Sequence, residues 1–73
     1  MTYTAKQIAT IYQRTRKLNP NMAPLGKITE VISQRYNDEV QGFSYNCRGP
    51  KGTVTVHLWC CPNSMELVAS CDY

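Results

Sequence analysis

The sequence predicts an α+β domain with two N-terminal helices packed on one face of a three-stranded antiparallel β-meander, in the order α-α-β-β-β. Three observations carry this. A capped run with helical apolar spacing opens the chain. A proline-led run with similar spacing follows it. Three stretches of alternating apolar and polar residues, joined by short turns, close it. The densest of these is Thr53–Cys61, TVTVHLWCC, read as the middle strand.

The first helix starts at Thr4. Gln7, three residues on, completes a Thr-x-x-Gln capping box, and Tyr3 with Ile8 is placed to form a hydrophobic staple. Ile8, Ile11, Tyr12, Thr15 and Leu18 share one helical face. Arg14, Arg16 and Lys17 crowd the last turn, where the helix dipole favours cations. Asn19-Pro20 ends the helix, because proline disfavours helical geometry in the residue before it.

Asn19–Ala23 reads as a loop. Pro24 suits the first position of a second helix, where its missing N–H costs nothing. Leu25, Ile28, Val31, Ile32 and Tyr36 recur along one face of that helix. Gly26 weakens its first turn, and Asn37-Asp38 closes it. A short polar connection runs from Asp38 to Gly42.

In the strands, Phe43, Tyr45 and Cys47 alternate with Ser44, Asn46 and Arg48. Val54, Val56, Leu58 and Cys60 alternate with Thr53, Thr55, His57 and Trp59; Leu67, Ala69 and Cys71 alternate with Glu66, Val68, Ser70 and Asp72. Gly49-Pro50-Lys51-Gly52 and Cys61-Pro62-Asn63-Ser64 are turn signals short enough for hairpins. The outer strands, Phe43–Arg48 and Met65–Tyr73, carry neither proline nor lysine, so a homodimer through an edge strand is open to the chain.

The 73 residues make one domain, 1–73. A chain this short buries only about 60% of its unfolded surface. It has room for one small core and no deep cleft. Eight Lys and Arg against five Asp and Glu give a net charge of +3, below the excess of dedicated nucleic-acid binders. Met1–Lys6 has no apolar run of the signal-peptide kind, and no stretch approaches the roughly 20 apolar residues that cross a bilayer. A soluble cytoplasmic protein with no membrane partner is expected.

Chemistry is sparse. Cys47, Cys60, Cys61 and Cys71 lack the C-x2-4-C spacing of zinc knuckles, so no metal or other cofactor is expected. Cys47, Cys60 and Cys71 share the core-side alternation and read as small buried apolar residues, with a Cys47–Cys60 or Cys60–Cys71 bridge as the oxidised alternative. His57, the single histidine, points away from Cys60 and lies roughly 13 Å along the strand from Cys61 at about 3.3 Å per residue. The acids form no spaced pair, and no glycine-rich phosphate loop is present. A catalytic role is not expected.

Two function classes remain. The first is a stand-alone interaction module that binds a larger protein and modulates it by occlusion, as small bacteriophage and mobile-element proteins do to host enzymes that process nucleic acid. Arg48, Thr55, His57 and Trp59, on the sheet face turned from the helices, are its expected contact residues; a Trp on a polar face with an Arg nearby has the composition of a binding hot spot. The alternative for Trp59 is that it wraps round the strand end into the core. The second class is a small basic nucleic-acid binder using Lys6, Arg14, Arg16, Lys17, Arg48 and Lys51 on phosphates, with Trp59 to stack a base. A helix-turn-helix is excluded, because the segment from Leu18 to Pro24 exceeds the 3–4-residue turn of that motif and carries two prolines.

Overall fold

The structure, a computed structural model, describes residues 3–39 and 41–72, Asp72 by its backbone alone. One helix, α1 (Ala5–Leu18), is followed by four strands: β1 (Glu30–Asn37), β2 (Gly42–Gly49), β3 (Gly52–Cys60) and β4 (Leu67–Asp72). They form one antiparallel sheet in the order β1-β2-β3-β4. The fold is α+β, but α-β-β-β-β rather than the two helices and three strands expected.

The expected second helix is the source of the difference. Residues 23–29 are irregular and the rest is β1. Gly26 takes a left-handed φ of 78°, which stops helical propagation. Leu25 and Ile28 still reach the core, so their three-residue spacing mimics a helix face without one. Val31, Ile32 and Tyr36 belong to the strand, and a bulge between Val31 and Ser33 breaks the alternation that would have exposed it. β1 covers β2, so Phe43–Arg48 is an interior strand and not a sheet edge.

The remainder follows the sequence closely. The Thr4–Gln7 capping box is closed in both directions, at 2.9 and 3.2 Å. Ile8, Ile11, Tyr12 and Thr15 are buried, while Leu18, at the helix end, is 72% exposed rather than part of that face. Asn19 caps the helix with its N–H to the carbonyls of Thr15 and Arg16. Pro50 and Lys51 form a two-residue turn between the paired Gly49 and Gly52, the latter at φ 112°. The β3–β4 connection closes through Cys61 N–H to Glu66 O at 2.8 Å and Met65 N–H to Cys61 O at 2.7 Å, with Met65 left-handed at φ 60°.

α1 lies over β4. Its apolar face meets Tyr45, Cys47, Val54, Val56, Leu58 and Ala69 on one side of the sheet. Burying an aliphatic side chain such as Val56 contributes about 1.5–3 kcal/mol. Tyr12 ties the layers together: its hydroxyl donates to the Ala23 carbonyl and accepts from Cys71 Sγ at 3.3 Å. One helix is too narrow for four strands, so the β1 side of the same face stays uncovered. There Phe43, expected in the core, is exposed, and Tyr36 beside it is 56% exposed.

The cysteines follow expectation in part: Cys47 is a buried free thiol as expected, whereas Cys60 and Cys71 are not buried. All four are free thiols. Cys47 is fully buried, Cys60 is exposed, and Cys61 and Cys71 are intermediate. Cys47 stands opposite Val54, Cys60 opposite Leu67, and Cys71 opposite Val56, so neither bridge of the oxidised alternative has its partners adjacent.

Candidate functional site

Four surfaces carry exposed chemistry. The first is the outer sheet face, where Arg48, Thr55, His57 and Trp59 were expected together. They do share it: Thr55, His57 and Trp59 alternate with the buried Val54, Val56 and Leu58 along β3, and Arg48 is on the neighbouring strand. Most of their polar atoms are engaged. Ser44 Oγ lies 2.6 Å from His57 Nδ1 and accepts from Asn37 Nδ2 at 3.0 Å. Thr55 Oγ1 donates to Asn46 Oδ1 at 2.9 Å, and Asn46 Nδ2 donates to Ser33 Oγ at 3.0 Å. Arg48 Nε pairs with Glu30 Oε1 at 2.6 Å, an exposed ion pair of a kind that contributes about 0–1 kcal/mol.

Trp59 is half-buried on this face, opposite Val68 on β4 and close to Gly42. It does not wrap into the core. The close approach requires glycine at 42, because a Cβ there would lie 2.0 Å from the Leu58 carbonyl oxygen and 2.9 Å from Trp59 Cβ.

Sequence reasoning missed the Ser44–His57 contact. The two residues are 13 apart, and only the β2–β3 register places them opposite each other. Ser44 is 2% exposed, and its hydroxyl fastens β2 to β3 across the sheet. Among the described residues, no group of three or more His, Cys, Asp or Glu side chains is arranged to hold a metal ion.

The second surface is the pair of sheet edges, which are unequal. At β4 the helix closes the edge. Thr15 Oγ1 accepts the Ala69 N–H at 3.1 Å, and Arg14 Nη2 donates to the Leu67 carbonyl at 3.2 Å. At β1 the only strand neighbour among the described residues is β2. That open edge carries exposed Ile32 and Tyr36, the latter edge-to-face with Phe43 at a centroid distance of 5.6 Å.

The third surface is basic. The six residues expected to serve a nucleic acid do not form one patch. Arg48 is ion-paired on the outer face, and Arg14 is turned to β4. Lys6 and Arg16 line a groove of 720 Å³ between α1 and residues 24–29, where they meet Lys27, which sequence reasoning did not single out. Lys51 lines a second groove of 640 Å³ on the far side of Pro24–Gly26, and Lys17 lines a shallower one with Pro20. Trp59 is on the opposite sheet face from Lys6 and Arg16, so base stacking and phosphate contact are not offered side by side.

The fourth is the β3–β4 connection. The backbone N–H groups of Asn63 and Ser64, and the Ser64 hydroxyl, donate to Cys61 sulfur and hold its thiol below the usual cysteine range. Burial does the reverse to Cys47, whose thiol is pushed up.

No helix is long and apolar enough to cross a membrane among the described residues. Comparison with protein-family models, with curated proteins and with solved structures finds no match to this chain, so the reading of its function rests on its own residues.

Proposed function

We propose that the chain is a non-catalytic interaction module that binds a larger protein in the cytoplasm and modulates it by occupying a surface, in the manner of small phage or mobile-element inhibitors. The observation that carries this reading is the inequality of the sheet edges. At the β4 edge Thr15 and Arg14 each bond a backbone group, while among the described residues no strand pairs with the outer side of β1, beside the exposed Tyr36–Phe43 pair and Ile32. Exposed strand edges are managed by covering them, and one left uncovered is a template for a partner's strand. Apolar side chains flanking it supply the pockets that such pairing needs for specificity. The outer face with Arg48, Thr55, His57 and Trp59 is the second contact surface under this reading.

The test is capture of the tagged protein's partner from source-cell lysate treated with nuclease, followed by amide hydrogen exchange on the complex. Protection across Glu30–Asn37, with loss of capture in Tyr36→Lys, is the expected result. The Trp59→Ala variant separates the two surfaces, because a hot-spot Trp costs about 2 kcal/mol or more when truncated. Capture that disappears with nuclease would reject the reading in favour of nucleic acid.

A further inference from the structure

We infer that the groove between α1 and residues 24–29 is a binding site for an acidic peptide segment carrying aliphatic side chains. It is a separate surface from the β1 edge, so the two readings fail independently.

The floor of the groove is aliphatic, formed by Ala9, Leu25 and Ile28, and its rim carries Lys6, Arg16 and Lys27. Among the described residues, no acidic side chain lines it. The Arg48–Glu30 ion pair is on the opposite face of the sheet. Arg16 is held in place by its Nε, which donates to the Met22 carbonyl at 2.9 Å and so fixes the guanidinium at the rim.

Lys6 supplies an independent argument. It occupies the first turn of α1, which contains no acidic residue. The helix dipole opposes a cation there. Helix stability therefore does not account for lysine at this position, whereas a ligand of opposite charge does. The adjoining groove beyond Pro24–Gly26 adds Lys51 and, among the described residues, no acid. A linear anionic ligand crossing Pro24–Gly26 meets a cation on either side.

Carboxylates with aliphatic neighbours fit this surface better than a nucleic acid does. Single-stranded nucleic acids are held by aromatic faces on which bases stack. Here the one aromatic residue of the groove, Tyr12, is 2% exposed and its hydroxyl is bonded to Ala23. The floor offers aliphatic contact, and the rim offers charge that steers and orients an acidic segment.

Fluorescence anisotropy at low ionic strength tests the assignment with four dye-labelled probes. They are a peptide of glutamates interspersed with leucines, an all-glutamate peptide, a lysine–leucine peptide and a single-stranded oligo-dT. The glutamate–leucine peptide should bind saturably and more tightly than the other three. Its affinity should fall with added salt, as screening shortens the reach of exposed charges. The double variant Lys6→Gln/Lys27→Gln should weaken it at least about tenfold. Circular dichroism on the same variant checks that α1 is retained. Equal binding of the lysine–leucine peptide, or undiminished affinity in the double variant, would overturn the assignment. So would an oligo-dT that binds more tightly than the glutamate–leucine peptide and is lost in the same variant.

Discussion

Thr15 and Ala69 are joined across the fold: the Ala69 N–H donates to Thr15 Oγ1 at 3.1 Å, and the same hydroxyl donates to the Ile11 carbonyl at 2.9 Å. Both residues are buried. Thr15→Val keeps the shape and removes the acceptor, leaving the Ala69 N–H without a partner. A buried unsatisfied donor costs about 1–3 kcal/mol, so urea unfolding should show a loss of that size. Thr15→Ser, which keeps the hydroxyl, should lose less. A valine variant as stable as the parent would show that the hydroxyl contributes nothing to the joint.

Tyr45 presents the opposite situation. Its ring is fully buried against Tyr3 and Phe43, yet its hydroxyl has no hydrogen-bond partner among the described residues. Burial, with smaller contributions from Tyr3 and Cys47, raises its pKa above 10; the nearby Tyr3 backbone N–H offsets part of the rise without closing a hydrogen bond. Tyr45→Phe should therefore be neutral or stabilising by about 1 kcal/mol. The pH dependence has a definite sign. The folded state holds the proton more tightly than the unfolded chain, so this contribution is complete below pH 10 and is lost as pH rises through the raised value. The phenylalanine variant should show a shallower alkaline decline in stability; an unchanged profile would place the titrating group elsewhere.

The four thiols should react in a definite order. The N–H groups of Asn63 and Ser64 favour the Cys61 thiolate, whereas burial disfavours it at Cys47. Iodoacetamide at neutral pH, with peptide mapping over time, should label Cys61 first and Cys47 last. Early labelling of Cys60 with Cys61 untouched would show that exposure outweighs thiolate stabilisation here.

Lys6 should be replaceable with a gain in stability. A glutamate at this first-turn position complements the helix dipole, by about 0.3–1 kcal/mol at low ionic strength. Thermal unfolding of Lys6→Glu should show a modest rise in Tm that shrinks in high salt.

Gly42 should tolerate no side chain. Its Cβ position is 2.0 Å from a backbone oxygen of β3, which a rotamer change cannot clear. Gly42→Ala should lose about 1–3 kcal/mol or more through displacement of β2 from β3. A soluble, fully stable alanine variant would contradict the close packing of Gly42 against Leu58 and Trp59.

The elements legible in the sequence were those whose signals are local. The Thr4–Gln7 box marks the start of α1, and Asn19-Pro20 marks its end. Alternation plus a two-residue turn marks β2 and β3, and the inward and outward faces follow from it. β1 was hidden because two local signals cancelled. The bulge near Ile32 disturbed its alternation, while Leu25 and Ile28 added apolar residues at helical spacing from irregular chain. The candidate surfaces depend on longer-range facts. The Ser44–His57 contact needs a register, and the sealed β4 edge needs a helix 54 residues away. The meeting of Lys6 with Lys27 needs the 24–29 segment to pass beside α1. None of these has a signature within a short window of sequence.

The docking of α1 on β4 also sets an order in time. The hairpins of β1 to β4 join neighbours in sequence and can close as soon as each pair of strands exists. α1 is synthesised before the sheet, yet its partner there, Ala69, lies 54 residues beyond Thr15. A nascent chain that has not reached β4 holds a helix whose apolar face has no finished surface to cover. Such a helix is marginal alone at 14 residues. The domain should therefore fold only once β4 has left the ribosome, in one cooperative step, with a truncation before Leu67 leaving α1 frayed and the core open.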